Sequence, residues 1–357
     1  MSNHAARRAA LRSLLAAVEV EAVLVTDLLN IRYLTGFTGS NAALLVAAGG
    51  DHRSTFCTDG RYVTQAAAQV PDLRTVIDRA SAPALVREAT GRLGFEAGHL
   101  TVADHTRLAA IGTAQLVATN GLVEQLRAVK DADEIQALRR ACAIADDAFA
   151  ALIADGGIRA GRTEREVGLD LDERMRRGGA EDPAFETIVA AGAHSAIPHH
   201  RPTGSILQRG DLVKFDFGAR FDGYHSDMTR TVVLGAPQAW QQEIHDVVLA
   251  AQTAAEELVA PGTTGQQLDR AARRVVEEAG YGDRFLHGLG HGIGLEIHEG
   301  PAVAAAATGT IEADMVLTVE PGVYLEGRGG VRIEDSGVVR ASGYEVLTLT
   351  AKNLLVL

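Results

Sequence analysis

The residues best suited to chemistry lie between positions 198 and 334, where carboxylates and histidines recur in short, dense motifs. Five of them could ligate metal: Asp216, Asp227, His291, Glu320 and Glu334. Four carboxylates with one imidazole suit divalent cations such as Mn²⁺, Co²⁺ or Zn²⁺. Four acids in one site would repel one another strongly unless cations neutralised them. The set therefore predicts two divalent cations held close together, sharing a bridging water and stabilising a hydrolytic transition state.

Strand periodicity adds two residues to this set. Side chains two positions apart lie on the same face of a strand, so Thr229 would share a face with Asp227, and Arg332 with Glu334. Both side chains could orient a carboxylate that bridges two cations. A plain ion pair is the simpler interpretation of Arg332, and it is almost the same role.

The histidines are unevenly distributed along the chain. Of the twelve, five lie in two short runs: His199, His200, His287, His291 and His298. The run HGLGHGIGLEIH is rich in glycine, which lets backbone and ligands approach closely. It lacks the HExxH helix motif of the zincin peptidases. One histidine can supply the nitrogen ligand, and the others could bind substrate, polarise a carbonyl or stabilise a tetrahedral intermediate.

The composition argues against several classes of protein. A net charge of −12 disfavours a nucleic-acid-binding surface. No apolar run reaches the ~18 residues that a membrane span needs. Arg12 and Glu19 interrupt the apolar stretch near the N-terminus, so a signal peptide is not expected. Two cysteines, Cys57 and Cys142, cannot build a disulfide framework, which favours a reducing cytoplasm.

A chain of 357 residues is long enough for two domains. Over residues 1–127, helices and strands alternate, beginning with a helix over 5–18 and a strand over 21–27. This alternation is typical of an α/β domain, and we find no catalytic motif in it.

The boundary falls near LRAVKDADEIQ, and residues 128–357 form the second predicted domain. Asp131 or Asp133 could cap the long amphipathic helix that follows.

The second predicted domain contains an internal repeat. A Thr-x-x-Glu capping box at 163–166 begins a helix in the first copy, and a Thr-x-x-Gln box at 264–267 does so in the second. Two strands follow each helix; the first pair carries the two candidate aspartates and the second pair the two glutamates. The register of the repeat is imperfect. The pattern predicts two pseudo-equivalent halves that share one site, with helices packed on one face of a curved sheet.

Five motifs together resemble the Xaa-Pro peptidases of the pita-bread metallopeptidase family, which includes prolidase and aminopeptidase P: PHHRPTG, GDLVKFDFGARFDGYHSDMTRTVVLG, HGLGHGIGLEIHEGP, VEPGVY and GGVRIED. NIRYLTGFTGSNAALLV and FCTDGRY are similar to the creatinase-type N-terminal domain. The resemblance covers nearly the whole chain. It implies an α/β creatinase-like domain over 1–127, then an α+β pita-bread catalytic domain with a pseudo-twofold repeat over 128–357.

The resemblance also implies how the ligands are shared. Asp216 would bind one cation, His291 and Glu320 the other, and Asp227 and Glu334 would bridge the two. Glu320 would also act as general base or proton shuttle for the bridging hydroxide.

The same resemblance implies roles for the surrounding residues. His199 and His298 would contact the substrate at the scissile carbonyl, His287 would line the substrate pocket, and Arg332 would support the bridging carboxylates. Many relatives have His-Gly where this chain has His199-His200. Because His199 stands 17 residues before Asp216, the family role falls to it, and the role of His200 stays open.

The activity implied by the resemblance is metal-dependent hydrolysis of Xaa-Pro bonds, at the N-terminus of peptides or in dipeptides, by a bridging hydroxide on a dinuclear centre. Mn²⁺ is the expected cation, with Co²⁺ or Zn²⁺ as alternatives. The partners would be a proline-containing peptide and a second copy of the chain in a homodimer. The residues themselves indicate metal hydrolysis, whereas proline specificity comes from the resemblance alone.

Three other members of the same superfamily are alternatives. Methionine aminopeptidase shares the ligand set but normally lacks the N-terminal domain. Creatinase shares both domains but not the metal site. Non-catalytic pita-bread modules that bind proteins such as histones have lost metal ligands, whereas this chain retains all five.

Overall fold

In the computed structural model, which describes residues 3–357, the chain divides into one unit that ends at Arg127 and another over Ala128–Leu357. No helix among the described residues is long and apolar enough to cross a membrane.

The first unit is an α/β fold whose strands and helices alternate along the chain. Its strands are Ala22–Val25 (β1), Ala42–Ala47 (β2), Thr55–Thr58 (β3), Arg74–Ile77 (β4), Arg92–Glu96 (β5) and Gln115–Thr119 (β6). They form one mixed sheet in the order β4-β3-β2-β1-β5-β6, in which β2 runs antiparallel to both neighbours. Its helices are His4–Leu15 (α1), Leu28–Thr35 (α2), Val63–Gln69 (α3), Ser81–Glu88 (α4) and Val102–Ala109 (α5), with Glu124–Ala128 (α6) at the boundary.

Helix α1 is shorter than the predicted helix over 5–18. It ends at Leu15, so Val18 lies beyond its apolar face. Glu19 adopts a left-handed backbone conformation, with φ of 53°, and turns the chain towards β1.

The second unit contains four long helices and fourteen strands. The helices are Ala132–Ala154 (α7), Glu164–Arg177 (α8), Ala239–Glu256 (α9) and Gly265–Glu278 (α10). The strands of the first half are Asp182–Pro183 (β7), Ile188–Ala191 (β8), Leu212–Phe217 (β9), Ala219–Phe221 (β10), Tyr224–His225 (β11) and Met228–Val233 (β12). Those that follow are Gly290–Gly292 (β13), Glu299–Val303 (β14), Val316–Val319 (β15), Gly322–Leu325 (β16), Gly329–Arg332 (β17), Asp335–Arg340 (β18), Gly343–Val346 (β19) and Leu355–Val356 (β20).

Two separate cores show the repeat within this unit. In the first half, α7 and α8 pack on the sheet β20-β12-β9-β8, with Phe149, Leu171 and Phe215 buried between the layers. In the second half, α9 and α10 pack on the sheet β14-β13-β15-β18-β19, with Val248 and Leu317 in the core. Each half thus buries one face of its own sheet under its own helix pair.

The helix caps follow the same repeat. The boxes at 163–166 and 264–267 both form at the start of their helices, as predicted. Each N-cap threonine also pairs through its backbone with a later segment of its own half, at Ile206 in the first and Thr310 in the second. Asp131, rather than Asp133, caps α7 and forms a capping box with Glu134.

The two halves meet along β12 and β17. The Thr231 hydroxyl donates to the Arg332 carbonyl at 3.1 Å, and the Glu334 backbone N–H donates to the Thr229 carbonyl at 3.1 Å. This contact brings the acids of one half next to those of the other.

Three of the four candidate acids lie in short interruptions between strands, which differs from the expectation that the glutamates occupy strand positions. Asp227 lies between β11 and β12, Glu320 between β15 and β16, and Glu334 between β17 and β18, whereas Asp216 lies within β9. At a break the backbone leaves the regular pairing, which frees these side chains from strict alternation between the two faces of the sheet.

Candidate metal centre

All five predicted ligands line one cavity of about 280 Å³ in the second unit. His199, His200 and His298 also line it. The acids come from both halves of the repeat, and the histidine ligand candidate comes from the second.

The position of His291 depends on the glycines on either side of it in β13. A Cβ on Gly290 would lie 2.1 Å from the Thr318 carbonyl oxygen, and one on Gly292 would lie 2.0 Å from the Gly300 carbonyl oxygen. Any side chain at either position would clash with the neighbouring strand, so only glycine allows His291 to approach this closely.

The imidazole of His291 presents a free nitrogen to the acids. Its Nδ1 bonds the Gly292 carbonyl at 3.0 Å, so Nδ1 carries the proton. Its Nε2 lies 3.5 Å from Glu320 Oε1 and 3.6 Å from Asp227 Oδ2. Burial lowers the pKa of His291 to about 4, so the ring is neutral near pH 7 and its Nε2 lone pair is available to a cation.

Three carboxylate oxygens in the cavity are buried without a hydrogen-bond partner: Asp216 Oδ1, Asp227 Oδ1 and Glu334 Oε1. A buried acceptor without a partner costs roughly 1–3 kcal/mol, and more if it is charged. The other oxygens of Asp216 and Glu334 are bound, by the Arg332 guanidinium and by the Thr229 hydroxyl at 2.8 Å respectively. The residues present therefore fit bound cations, which would supply the missing partners.

The electrostatics of the acids point the same way. Burial, reinforced by the neighbouring carboxylates, raises the pKa of Asp227 and of Glu334 well above the usual range. Burial also raises the pKa of Glu320 to about 8, against the opposing charge of Arg332. Positive charge in the cavity would reverse these shifts, because it stabilises the ionised form of each acid.

Arg332 is the buried cation next to these acids. It forms an ion pair with Asp216, and its Nε donates to the Thr229 hydroxyl at 3.0 Å. Its Nη1 donates to the Tyr324 hydroxyl at 3.1 Å. The nearby carboxylates keep Arg332 charged by raising its pKa, although burial opposes this. Arg332 and Thr229 thus each hold one carboxylate oxygen and leave the second oxygen of that carboxylate facing the cavity.

Two of the three histidines predicted to bind substrate line the cavity, and the third does not. His199 and His298 are exposed to the cavity, and the His298 ring centre lies 4.3 Å from that of His291. His287 is not among the residues that line the cavity; its Nε2 lies 2.8 Å from the Tyr324 hydroxyl. His287 is therefore linked to Asp216 through Tyr324 and Arg332.

Three residues of this neighbourhood were not singled out from the sequence. Tyr324 links His287 to Arg332, and its place in the VEPGVY motif was the available signal. Lys214 is fully buried on β9, where a lysine within the apolar run VKFDF was conspicuous. Glu164 bonds His200 at 2.9 Å, and its position beside a helix cap concealed that role.

Both units match known protein families. Residues 136–341 match metallopeptidase family M24, and residues 7–129 match the creatinase/prolidase N-terminal domain. Over 234 residues the chain is 45% identical to the Xaa-Pro dipeptidase of Pyrococcus furiosus, covering 66% of this chain and 67% of the relative.

Solved structures agree over the whole chain. The Xaa-Pro dipeptidase from Bacillus anthracis superposes with a TM-score of 0.95 and 38% identity, covering 99% of this chain and 100% of the other. The X-Pro aminopeptidase from Thermotoga maritima gives a TM-score of 0.88 and 34% identity, covering 98% and 99%. These matches confirm the predicted fold class, a creatinase-like domain followed by a pita-bread domain.

The raised pKa values predict how the metal-free protein responds to pH. Glu320 has a pKa of about 8 in the folded chain, above its ordinary value of 4.5, so folding favours its protonated form. That stabilisation is complete below pH ~4.5 and is lost as the pH rises towards 8. We expect the free energy of unfolding of EDTA-treated protein to fall between pH 5 and 8, and Mn²⁺ to abolish the fall. Urea unfolding at a series of pH values measures it.

Glu320→Gln removes a titrating acid and should flatten this dependence, whereas Asp246→Asn, at an exposed position on α9, should leave it unchanged. A metal-free protein whose stability stays constant or rises over the same interval would contradict the raised pKa of Glu320.

Proposed function

The chain belongs to metallopeptidase family M24, and from this membership we propose that it is an Xaa-Pro peptidase, which cleaves the bond before proline in dipeptides or at the N-terminus of longer peptides. The observation that supports this most directly is the set of three unpartnered carboxylate oxygens at the wall of a cavity that His199 and His298 also line. The names of the dipeptidase and aminopeptidase relatives support the proline specificity.

We assign the five candidate ligands to two divalent cations, with Mn²⁺ as the expected ion and Co²⁺ or Zn²⁺ as alternatives. Asp216 would hold one cation, His291 and Glu320 the other, and Asp227 and Glu334 both. The closeness of His291 Nε2 to Glu320 and Asp227 supports this division. The unpartnered oxygens on Asp216, Asp227 and Glu334 support it too. When bound, such a pair supplies an activated water molecule and polarises the scissile carbonyl.

The side chains of the chain carry the remaining steps. Glu320 would accept a proton from the attacking water and deliver it to the proline nitrogen that leaves. His199 and His298 would donate hydrogen bonds to the substrate around the scissile carbonyl, where negative charge develops. Thr229 would keep the bridging carboxylate of Glu334 in place, and Arg332 would hold the carboxylate of Asp216, since each already bonds that group. The position of His287 supports a role in holding Tyr324 rather than the substrate contact predicted from the resemblance.

Xaa-Pro bonds suit a site of this kind. The peptide nitrogen of proline carries no hydrogen, so peptidases that recognise that N–H handle the bond poorly. A site that binds the carbonyl oxygen and the free N-terminus does not need it.

The alternatives from the same superfamily fit less well. The match of residues 7–129 to a creatinase/prolidase N-terminal domain argues against methionine aminopeptidase, which normally lacks that domain. The convergence of five potential ligands on one cavity argues against a binding module that has lost its metals.

Hydrolysis of a matched pair of peptides tests the proposal. Metal-stripped protein is reloaded with Mn²⁺, Co²⁺ or Zn²⁺ and offered Ala-Pro and Ala-Pro-Ala. We expect release of alanine from at least one of them. Cleavage of the dipeptide alone would identify a dipeptidase, and cleavage of the tripeptide an aminopeptidase. If the protein binds metal but cleaves neither peptide, the proline specificity is wrong.

A single substitution tests the role of Glu320. Glu320→Gln removes the acid–base group while preserving its size, so turnover should fall by about 10²–10⁴-fold with the fold retained. Steady-state kinetics at saturating metal, with circular dichroism of the same sample, measures both. Glu326→Gln, in the exposed turn after β16, is the matched control. Near-normal turnover in Glu320→Gln would remove this assignment.

We also propose that the chain forms a homodimer, on the strength of its resemblance to Xaa-Pro peptidases over nearly its whole length. Light scattering at micromolar concentration should give twice the chain mass of 37.6 kDa. A mass equal to that of one chain would refute the dimer.

A further inference from the structure

His199 sits on a segment without regular secondary structure, residues 197–203, here called the histidine loop. The loop follows a short 3-10 helix over Gly192–Ala196 and precedes β9. Because no strand or helix fixes its backbone, the orientation of His199 towards the cavity depends on side chains that bond the loop.

One end of the loop is bound by Glu164, a fully buried carboxylate in the first turn of α8. Glu164 accepts from the Thr203 backbone N–H at 2.9 Å, the Thr203 hydroxyl at 2.7 Å and His200 Nε2 at 2.9 Å. It also accepts from the Ala191 backbone N–H and from His194 Nδ1, both at 2.9 Å. A single carboxylate therefore joins the loop to the end of β8 and to the start of α8.

The other end of the loop is bound by Lys214, a fully buried residue of β9. Its Nζ donates to the Ile197 carbonyl at 2.7 Å and to the Pro198 carbonyl at 3.1 Å. Arg332 Nη1 also donates to the Pro198 carbonyl, at 3.2 Å. Both carbonyls immediately before His199 thus accept hydrogen bonds from buried basic side chains.

Glu164, His194 and His200 are close enough together to bind a metal ion, but their bonding shows a different use. Both oxygens of Glu164 already accept hydrogen bonds, whereas three of the four acids of the metal centre keep an unpartnered oxygen. Although burial opposes ionisation, the hydrogen bonds from Ala191, His200 and Thr203 lower the pKa of Glu164 to about 2. The cluster is a satisfied hydrogen-bond network, and such networks rigidify their surroundings.

We propose that Glu164 and Lys214 are positioning residues that hold the histidine loop from its two ends and so orient His199 towards the substrate. This assigns a role to His200, which links the loop to Glu164. The inference rests on the proposed function, because it assumes that His199 contacts the scissile peptide. Displacing a contact group by about 1 Å can cost 10²-fold in rate. An enzyme whose histidine loop has lost its hydrogen bonds to Glu164 or Lys214 should therefore turn over substrate slowly.

A double-mutant cycle tests the inference with Glu164→Gln, His199→Ala and the variant that carries both. Hydrolysis of Ala-Pro or Ala-Pro-Ala by metal-loaded protein gives kcat and KM, and metal content is measured in every sample. We expect Glu164→Gln to lower kcat about 10–100-fold with metal content unchanged. In the His199→Ala background the same change should cost less than about threefold, because the two residues act on one contact. Effects that multiply fully would mean that Glu164 does not act through His199.

Two further comparisons separate positioning from loss of folding. Glu166→Gln makes the same chemical change in the same turn of α8 but touches only the capping threonine, so its kcat should stay within about twofold of the unchanged protein. Thr203→Val removes one bond to Glu164 at nearly constant volume, whereas Thr203→Ser keeps it. If Glu164→Gln fails to fold, this pair carries the test: valine should lower kcat several-fold and serine should retain most of it. Equal activity in the two would overturn the inference.

The activity of the unchanged protein distinguishes failure of the proposed function from failure of the positioning role. If the unchanged protein cleaves neither peptide, both proposals fail together. If it is active and the cycle shows independent effects, only the positioning role is lost.

Discussion

Four carboxylates that face one small cavity cannot all be ionised there without positive charge beside them, because burial and mutual repulsion both favour the protonated form. Arg332 supplies one positive charge, which forms an ion pair with Asp216 and lies 3.9 Å from Glu320 Oε2. The positive charge is too small for the remaining acids: the pKa values of Asp227 and Glu334 are raised, and each has a buried oxygen without a hydrogen-bond partner. The surrounding fold is therefore arranged to keep these acids together at a cost that bound cations would offset.

The pseudo-twofold repeat explains how a single chain assembles such a site. Each half buries its own sheet beneath its own pair of helices, so each is held by a separate core. The halves meet where β12 lies beside β17, and hydrogen bonds from Thr229 and Thr231 cross this contact. Two aspartates in the first half and two glutamates in the second half thereby reach one cavity. Because their hydrogen bonds run between the halves, neither half can hold the acids in this arrangement alone.

The buried ionisable side chains around the cavity divide into two kinds. Glu164 is surrounded by donors, and Lys214 bonds two backbone carbonyls, so the hydrogen-bonding demands of both are met by the protein. Three of the four acids of the cavity instead keep a buried oxygen without a hydrogen-bond partner. A satisfied buried charge rigidifies what it bonds, whereas an unsatisfied one marks a place for a ligand. By this criterion the His199 side of the cavity is a rigid support, and the Asp227 side is the place where cations would bind.

The sequence by itself determined the N-terminal α/β domain, the capped helices and the repeat, because the alternation of strands and helices, the capping boxes and the glycine turns are local signals. It also singled out the five potential ligands, since acids and a glycine-flanked histidine stand out within apolar strands. Only the tertiary structure decided that three of those acids lie at strand breaks, that His287 reaches the acids through Tyr324, and that His200 faces Glu164. These features depend on contacts between residues distant in sequence, such as His287 with Tyr324 and His200 with Glu164. Local periodicity does not predict such pairings, because they arise only when separate elements pack together.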